Sequence, residues 1–316
     1  MRNLAKQFQT ISHQNQLWGE KSKIVLGISG GADSTCLLAI FYQLKETYDL
    51  ELIIAHVNYG LRGKESEADE AFVRQLAKKY ALPIEILTAE VTSTENLESH
   101  LRDLRYAFFE KIRQNSNFDL IAVAHNLDDQ AETFLMRMLR GSGLKGLGAM
   151  QFKNEKLIRP LLATSRNEIL TYLKENDLDY RTDQTNFTLD FYRNKIRHEL
   201  LPLLEKNYNP NIKKTLFNAT LSISEDEAFL EKITAKYLPT TNNLSAQKIN
   251  DLHPAMQKRV LRSFIAQKKL NKRNIHSAHI EEILKIVRST KGKNQTILIE
   301  GLKIIKKGDT VTISKI

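Results

Sequence analysis

One cysteine, Cys36, stands in 316 residues. The chain therefore holds no internal disulfide and no metal site built from several thiolates. No apolar run reaches the ~18 residues a membrane-spanning helix needs, so no membrane partner is expected. The opening stretch, MRNLAKQFQTISHQ, lacks the unbroken apolar core of a secretion signal, and the expected compartment is the cytoplasm. Internal repeats and low-complexity tracts are missing too. The length suffices for one large domain and a smaller one, each with its own core.

An excess of charge of one sign is also absent from most of the chain. Over residues 1–209, 27 Lys and Arg face 28 Asp and Glu; over 210–316 the counts are 20 and 9. The formal net charge of +10 thus arises in the last third. A basic module behind a neutral one points to a polyanion, most simply nucleic acid. A solvated, lysine-rich surface is the other reading.

What is there is alternation. KIVLGIS (23–29), LIIAHVN (52–58), IEILTAE (84–90), LIAVAHN (120–126) and KLIRPLL (156–162) read as strands. Helical patterns fall between and after them, at 34–44, 66–80, 96–114, 128–140 and 165–176. An amphipathic helix within the first 20 residues precedes them. Short apolar strands alternating with amphipathic helices predict an α/β fold: a doubly wound, mostly parallel five-stranded sheet covered on both faces. From about Asn211 helices dominate to about Arg288, KYLPTTNNLS (236–245) reads as a loop, and TILIEGLKIIKKGDTVTISKI ends the chain as short strands. The expected domains are a catalytic one over 1–210, a linker helix over 211–235, and a smaller basic, mainly helical one over 236–316.

Ligands of such sheets bind beyond the carboxyl ends of the strands. Three chemically loaded segments fall there: SGGADS (29–34), HVNYGLRG (56–63) and AHNLDDQAET (124–133). The first, Ser29, Gly30, Gly31, Ala32, Asp33 and Ser34, joins a strand to a helix through two glycines and so offers backbone N–H groups to phosphate. The usual nucleotide-hydrolase loop has a lysine near its end; here Asp33 stands instead, which makes sense if it holds Mg²⁺ beside phosphates. The alternative is a tight turn with Asp33 and Ser34 capping the helix. His56 and Asn58, at a strand end, are candidates for contact with adenosine or simply for strand-end hydrogen bonding. Lys258, Arg259, Arg262, Lys268, Lys269, Lys272 and Arg273 form the densest basic run and suit an RNA backbone.

Ser-Gly-Gly-x-Asp-Ser resembles the pyrophosphate loop (PP-loop) of the N-type ATP pyrophosphatases. HVNYGLRG, NLESHLRDLRY (96–106), AHNLDDQAETFLMRMLRGSGLKGLGAM (124–150), RPLL (159–162) and YRNKIRHELLP (192–202) follow in order. Together they resemble the bacterial tRNA(Ile)-lysidine synthetases over about residues 20–205. The resemblance implies a Rossmann-like PP-loop domain and ATP-dependent attachment of L-lysine to C2 of the wobble cytidine in the CAU anticodon of tRNA(Ile). ATP and Mg²⁺ would be used, and family members are often homodimers. It implies Asp33, Arg105, His125, Asp129 and Glu132 as catalytic residues, with His125, Asp129 and Glu132 around the lysine. Arg193 and Arg197 fall in a family-type segment suited to tRNA contact or inter-domain packing. Arg102, one turn before Arg105, reads as a helix-surface ion pair, and Asp128 as the cap of the helix at 128–140. Tyr59 stands where the family pattern more often has histidine. Another PP-loop tRNA-modifying enzyme, such as a thiolase, is the rival, but those enzymes generally need two or more cysteines. A non-catalytic tRNA-binding module is the other.

Overall fold

A computed structural model of the chain describes residues 4–89, 97–181, 191–239, 241, 243–268, 276–291 and 293–315. The backbone divides into two units, Met1–Ser224 and Glu225–Ile316. The boundary falls inside a long helix that overlaps the expected linker.

The first unit opens with α1 (Leu4–Gln14), β1 (Lys23–Gly27), α2 (Ala32–Tyr48), β2 (Glu51–Asn58) and α3 (Lys64–Lys79). It continues through β3 (Ile84–Thr88), α4 (Leu97–Asn115), β4 (Leu120–Ala122), α5 (Leu127–Leu139) and α6 (Leu144–Leu147). Leu4, Phe8 and Ile11 share the buried stripe of α1, and Phe8 meets Trp18 and Phe41 at ring-centroid distances of 5.3 and 5.2 Å. Ile24, Val25 and Leu26 of β1 are all fully buried, as expected of a central strand covered on both faces.

The sheet has six strands in the order β3-β2-β1-β4-β6-β5, which corrects the expected five. The stretch read as one strand at 156–162 yields only β6 (Leu157–Ile158), parallel to β4; β5 (Lys153–Asn154) pairs antiparallel with it at the edge. Pro160 has no N–H for a ladder, so the pairing stops at the carboxyl edge. β1 pairs in parallel with β2 on one side and β4 on the other. The chain order reverses between them, and a crevice opens at their carboxyl ends.

α7 (Arg166–Glu175) starts at the same edge, behind a capping box between Ser165 and Glu168. Then come α8 (Phe191–Lys195), a π-helical turn at Ile196–Leu200, α9 (Leu201–Asn207) and α10 (Ile212–Lys236). Pro202 lies at the start of α9. Its missing N–H cannot bond the carbonyl four residues back, so the ladder shifts register there.

The second unit contains β7 (Asn243–Ser245), α11 (Ala246–Asn250), α12 (Pro254–Lys268), α13 (Ser277–Arg288), β8 (Gln295–Ile299), β9 (Leu302–Lys307) and β10 (Thr310–Lys315). Its sheet is antiparallel, in the order β7-β10-β9-β8. β7 corrects part of the expected loop at 236–245: Leu244 is buried in the core with Phe264, Ile283, Leu284 and Ile304, and β10 supplies the pairing edge. Among the described residues no helix is long and apolar enough to cross a membrane.

Candidate active site

A cavity of about 380 Å³ lies at the crevice between β1 and β4. Its walls bring together Ser29, Gly31, Ala32, Asp33 and Ser34 of the loop with Arg105 and Tyr106 of α4, and with His125 after β4. These residues are up to 96 positions apart, and the parallel topology alone makes them neighbours.

The loop holds itself in shape. Ser34 Oγ accepts from the amides of Ser29 and Gly30 at 3.2 and 3.1 Å and donates to Gly31 O at 2.9 Å. Gly30 has φ +90°, a region L side chains rarely adopt. Gly31 is the N-cap of α2 and makes no side-chain cap hydrogen bond, so Asp33 and Ser34 are not the helix cap. The first-turn amides of α2 and the positive end of its dipole face the crevice.

Asp33 is held by Arg166, Nη1 to Oδ1 at 2.5 Å. Burial pushes the Asp33 carboxyl above its ordinary range, with Arg166 pulling down and Asp129 pushing up. Arg181 donates its backbone N–H to Gly30 O at 2.9 Å and its Nε to Asp69 at 3.1 Å; Arg62 holds the other oxygen of Asp69 at 2.5 Å. Arg166 and Arg181 both line the cavity and were not among the expected site residues. The Ser165–Glu168 capping box carries the signal for Arg166: it starts a helix just after a strand, so a cation in its first turn faces the ligand edge.

His56 and Asn58 do not line the cavity; Val57 and Tyr59 do. Side chains alternate across a strand. His56 Nδ1 lies 2.9 Å from Ile28 O, and Asn58 donates to Glu70 at 2.9 Å and accepts from Gly60 N. Both are buried on the face toward α3, away from the lining of this cavity.

Beyond the loop lie four charges. Asn126, not Asp128, caps α5. Its Oδ1 accepts from Asp129 N at 3.0 Å, and its own N–H donates to Asp129 Oδ2 at 3.1 Å, a reciprocal box that fixes the Asp129 carboxylate. Asp128 instead accepts from Arg166 N and pairs with Lys213. Glu132, with only 1% of its side chain exposed, and Asp129 share the cations of α8 and the π turn. Arg193 donates to Glu132 at 2.8 Å and to Asp129 at 3.1 Å. Arg197 donates to Glu132 at 2.5 and 3.1 Å and to Asp129 at 3.3 Å. Burial works against the Arg197 charge, but the two carboxylates outweigh it and raise its pKa.

His125 shows part of its ring to the cleft, while its Nδ1 is buried without a partner. Burial lowers its pKa to about 3, against the pull of Asp129 and together with Arg159, Arg102 and Arg105. The ring is therefore neutral near pH 7 and acts as a hydrogen-bonding group, not as a cation.

A larger cavity, about 890 Å³, opens between α1, the start of α7 and α10. It contains no loop residue, and its Lys213 is already neutralised by Asp128 and Glu205. The phosphate-loop residues, Arg105 and His125 line the smaller cleft.

In the second unit Arg259 is bidentate on Glu227 at 2.8 and 2.6 Å, Arg262 donates to Ser277, and Lys258 pairs with Glu281. Part of the expected basic RNA-binding run is thus neutralised within the unit. The Lys268 side chain and residues Lys269, Lys272 and Arg273 lie outside the described residues.

Residues 2–204 match the model of the PP-loop domain family, and residues 244–303 that of the TilS substrate binding domain. A tRNA(Ile)-lysidine synthase of Clostridium tetani is 35% identical over 90% of this chain and 64% of its own length. One of Clostridioides difficile is 33% identical over 98% and 70%. One of Petrotoga mobilis is 34% identical over 94% of both. The chain spans about two thirds of the length of the two clostridial relatives. Among solved structures, a U34-tRNA thiolase of Methanococcus maripaludis superposes with TM-score 0.59 at 21% identity, over 70% of this chain and 78% of that one. This likeness extends to the fold.

Proposed function

The chain belongs to the tRNA(Ile)-lysidine synthase family, and we propose that it joins L-lysine to C2 of the wobble cytidine in the CAU anticodon of tRNA(Ile). ATP adenylates the cytidine O2 and pyrophosphate leaves. The lysine side-chain amine then attacks C2, loses a proton, and AMP departs. The modified base pairs with A instead of G, and the tRNA is charged with isoleucine instead of methionine.

The observation that carries this reading is the meeting of the phosphate loop, Arg105, His125 and Asp129 around one crevice. The loop amides and the N-terminus of α2 hold the leaving pyrophosphate, with Arg166 and Arg181 as further cations. Arg105 stabilises charge that develops on the α-phosphate. Among the described residues no three His, Cys, Asp or Glu side chains gather into a metal group. Mg²⁺ would therefore be held mainly by the phosphates, with Asp33 as the loop's carboxylate; it would neutralise phosphate charge there. Asp129 and Glu132 hold the lysine ammonium once Arg193 and Arg197 give way, one of the two carboxylates helps to remove its proton, and neutral His125 sits beside them as a hydrogen-bonding group.

The basic second unit binds the tRNA, through α12 and the Lys269–Arg273 segment. The match to a substrate binding domain supports that assignment. The enzyme works in the cytoplasm and, by the family resemblance, as a homodimer. Sulfur transfer fits poorly: Cys36 is buried inside α2, and burial pushes its thiol pKa up, away from thiolate.

The test is incorporation of labelled lysine into a tRNA(Ile) transcript with a CAU anticodon, with and without ATP, while AMP and pyrophosphate are followed. ATP-dependent incorporation is expected. Pyrophosphate without lysine would mean a different amine or base. A folded chain that binds the tRNA but releases no pyrophosphate would be a binding module, not an enzyme.

A further inference from the structure

Beside the part of the cleft wall formed by Arg105 and Tyr106 stand three further arginines, Arg102, Arg137 and Arg159, that do not line the cleft itself. Arg102 and Arg105 lie over the ring of Tyr106, 5.0 and 5.6 Å from its centroid. Arg159, just past β6, is 5% exposed. Its Nη1 donates to Gln151 O at 2.8 Å. The buried Arg159 Nε and the buried Tyr106 hydroxyl make no well-formed hydrogen bond among the described residues, yet the two side chains lie close enough for the phenol oxygen to favour the Arg159 charge. Arg137, in the last turn of α5, donates Nη1 to the carbonyls of Gly146 and Ala149, at 2.7 and 3.0 Å.

Elsewhere in the chain, half-buried arginines are neutralised. Arg193 and Arg197 hold Asp129 and Glu132, Arg259 holds Glu227, and Arg62 holds Asp69. Arg102, Arg137 and Arg159 form no ion pair among the described residues. They sense one another instead: burial and the like charge of Arg102 lower the pKa of both Arg137 and Arg159, with Tyr106 pulling that of Arg159 back up. A cation taken from water without a counter-charge is unfavourable, and a phenol oxygen is only a partial substitute for one. An oxyanion bound between Arg102, Tyr106 and Arg159 would supply the missing charge.

We infer that Arg102, Arg159 and Tyr106 form a second anion site, separate from the pyrophosphate loop, for an oxyanion of the acceptor side of the reaction. Its chemistry fits the phosphate of the nucleotide being modified and equally the carboxylate of lysine. The inference rests on the proposed function and adds binding residues to it.

The experiment uses the full chain with Arg102→Gln and Arg159→Gln, each checked by circular dichroism and thermal melting. KM is measured for the tRNA transcript, lysine and ATP, with direct binding of transcript and lysine alongside. Because Arg159 is buried, Arg102→Gln, on a half-buried helix face, keeps the test open if Arg159→Gln fails to fold. The site is upheld if KM for tRNA or for lysine rises about tenfold or more while that for ATP stays within twofold. A phosphate source raises the tRNA constant and lowers the salt slope of binding by about one. A carboxylate source raises the lysine constant and narrows the preference for lysine over cadaverine, its decarboxylated analogue. If all three constants stay within twofold in a folded variant, or only that for ATP moves, the anion site is wrong, though wild-type incorporation would still uphold the reaction. If the wild type incorporates no lysine, the reaction is wrong, and the direct binding measurements still decide whether the site takes an anion.

Discussion

Arg197 and Glu132 are 65 positions apart, yet they form a bidentate charged contact, with Arg197 Nε on Glu132 Oε1 at 2.5 Å and Nη2 on Oε2 at 3.1 Å. The carboxylates proposed to receive a lysine ammonium are thus already neutralised by the protein's own guanidinium groups. In the proposed reaction Arg193 and Arg197 stand in for the substrate's charge, and lysine competes with them. Such an arrangement keeps a buried carboxylate compensated between turnovers.

Glu132→Ala therefore has two expected effects. It leaves Arg193 and Arg197 sharing one carboxylate, Asp129, at a cost of about 3 kcal/mol in stability. It also raises KM for lysine or lowers turnover while ATP binding is kept. Thermal denaturation and initial rates at varied lysine measure both; unchanged lysine KM and turnover would remove Glu132 from the lysine site.

Asp33 and Arg166 make a second pair, at the phosphate end of the cleft. Asp33→Ala is expected to abolish pyrophosphate release and spare tRNA binding, because the role proposed for this carboxylate is at the phosphates. Arg166→Ala should raise KM for ATP about tenfold or more, the worth of one hydrogen bond to a charged phosphate. Pyrophosphate release by Asp33→Ala at the wild-type rate would contradict the assignment of the loop.

Much of this site was legible before the fold. Gly30 and Gly31 between two apolar runs mark a loop that must approach a ligand, and alternation of strand and helix puts that loop and His125 at one edge. The phase of β2 was not legible. LIIAHVN is apolar on both faces because helices cover both, so nothing in it says whether His56 and Asn58 or Val57 and Tyr59 face the crevice. The cap of α5 was ambiguous for a related reason: Asn126 and Asp128 are both good capping residues, and only the reciprocal bond to Asp129 distinguishes them. Arg166 and Arg181 were missed because tertiary contacts bring them to the loop. β7 was missed because three residues become a strand only when an edge like that of β10 is present.

Gly30→Ala tests the loop geometry. Its φ of +90° is strained for any L residue, and the added methyl would meet Val73 and Phe72 at 3.3 and 3.4 Å. A loss of about 1–2 kcal/mol and a raised KM for ATP are expected. Gly143→Ala is the control: its φ is −74° and a Cβ there meets nothing within 4 Å. Equal melting temperatures for the two variants would mean that Gly30 is not conformationally required.

Asn126→Ala should act through Asp129. Loss of the cap costs about 1 kcal/mol; the backbone N–H of residue 126 that holds the Asp129 carboxylate survives the substitution, but the first turn that carries Asp129 is freed from Asn126 Oδ1. KM for lysine is expected to rise and that for ATP to stay. Asn126→Ser, which can still accept from the amide of Asp129, should restore most of the stability. If Ala and Ser behave alike in melting and kinetics, the cap does not position Asp129.

His125 sets a pH dependence that can be isolated. Its pKa is lowered by burial from 6.5 to about 3, so between those values the unfolded chain binds a proton that the native chain does not. Stability then rises with pH through this window and is lost as pH falls below about 6.5, by at most about 1.4 kcal/mol per pH unit for one proton. The raised pKa of Asp33 acts in the opposite sense: the native state holds its proton longer, so its contribution weakens as pH rises. Other carboxylates titrate in the same region, so the useful quantity is the difference between wild type and His125→Asn. Chemical denaturation at pH 7 and pH 5 should show the wild type losing more stability on acidification than the variant. Equal losses would mean that His125 takes up its proton in the folded protein as readily as in the unfolded one, and that the ring is not held neutral beside Asp129.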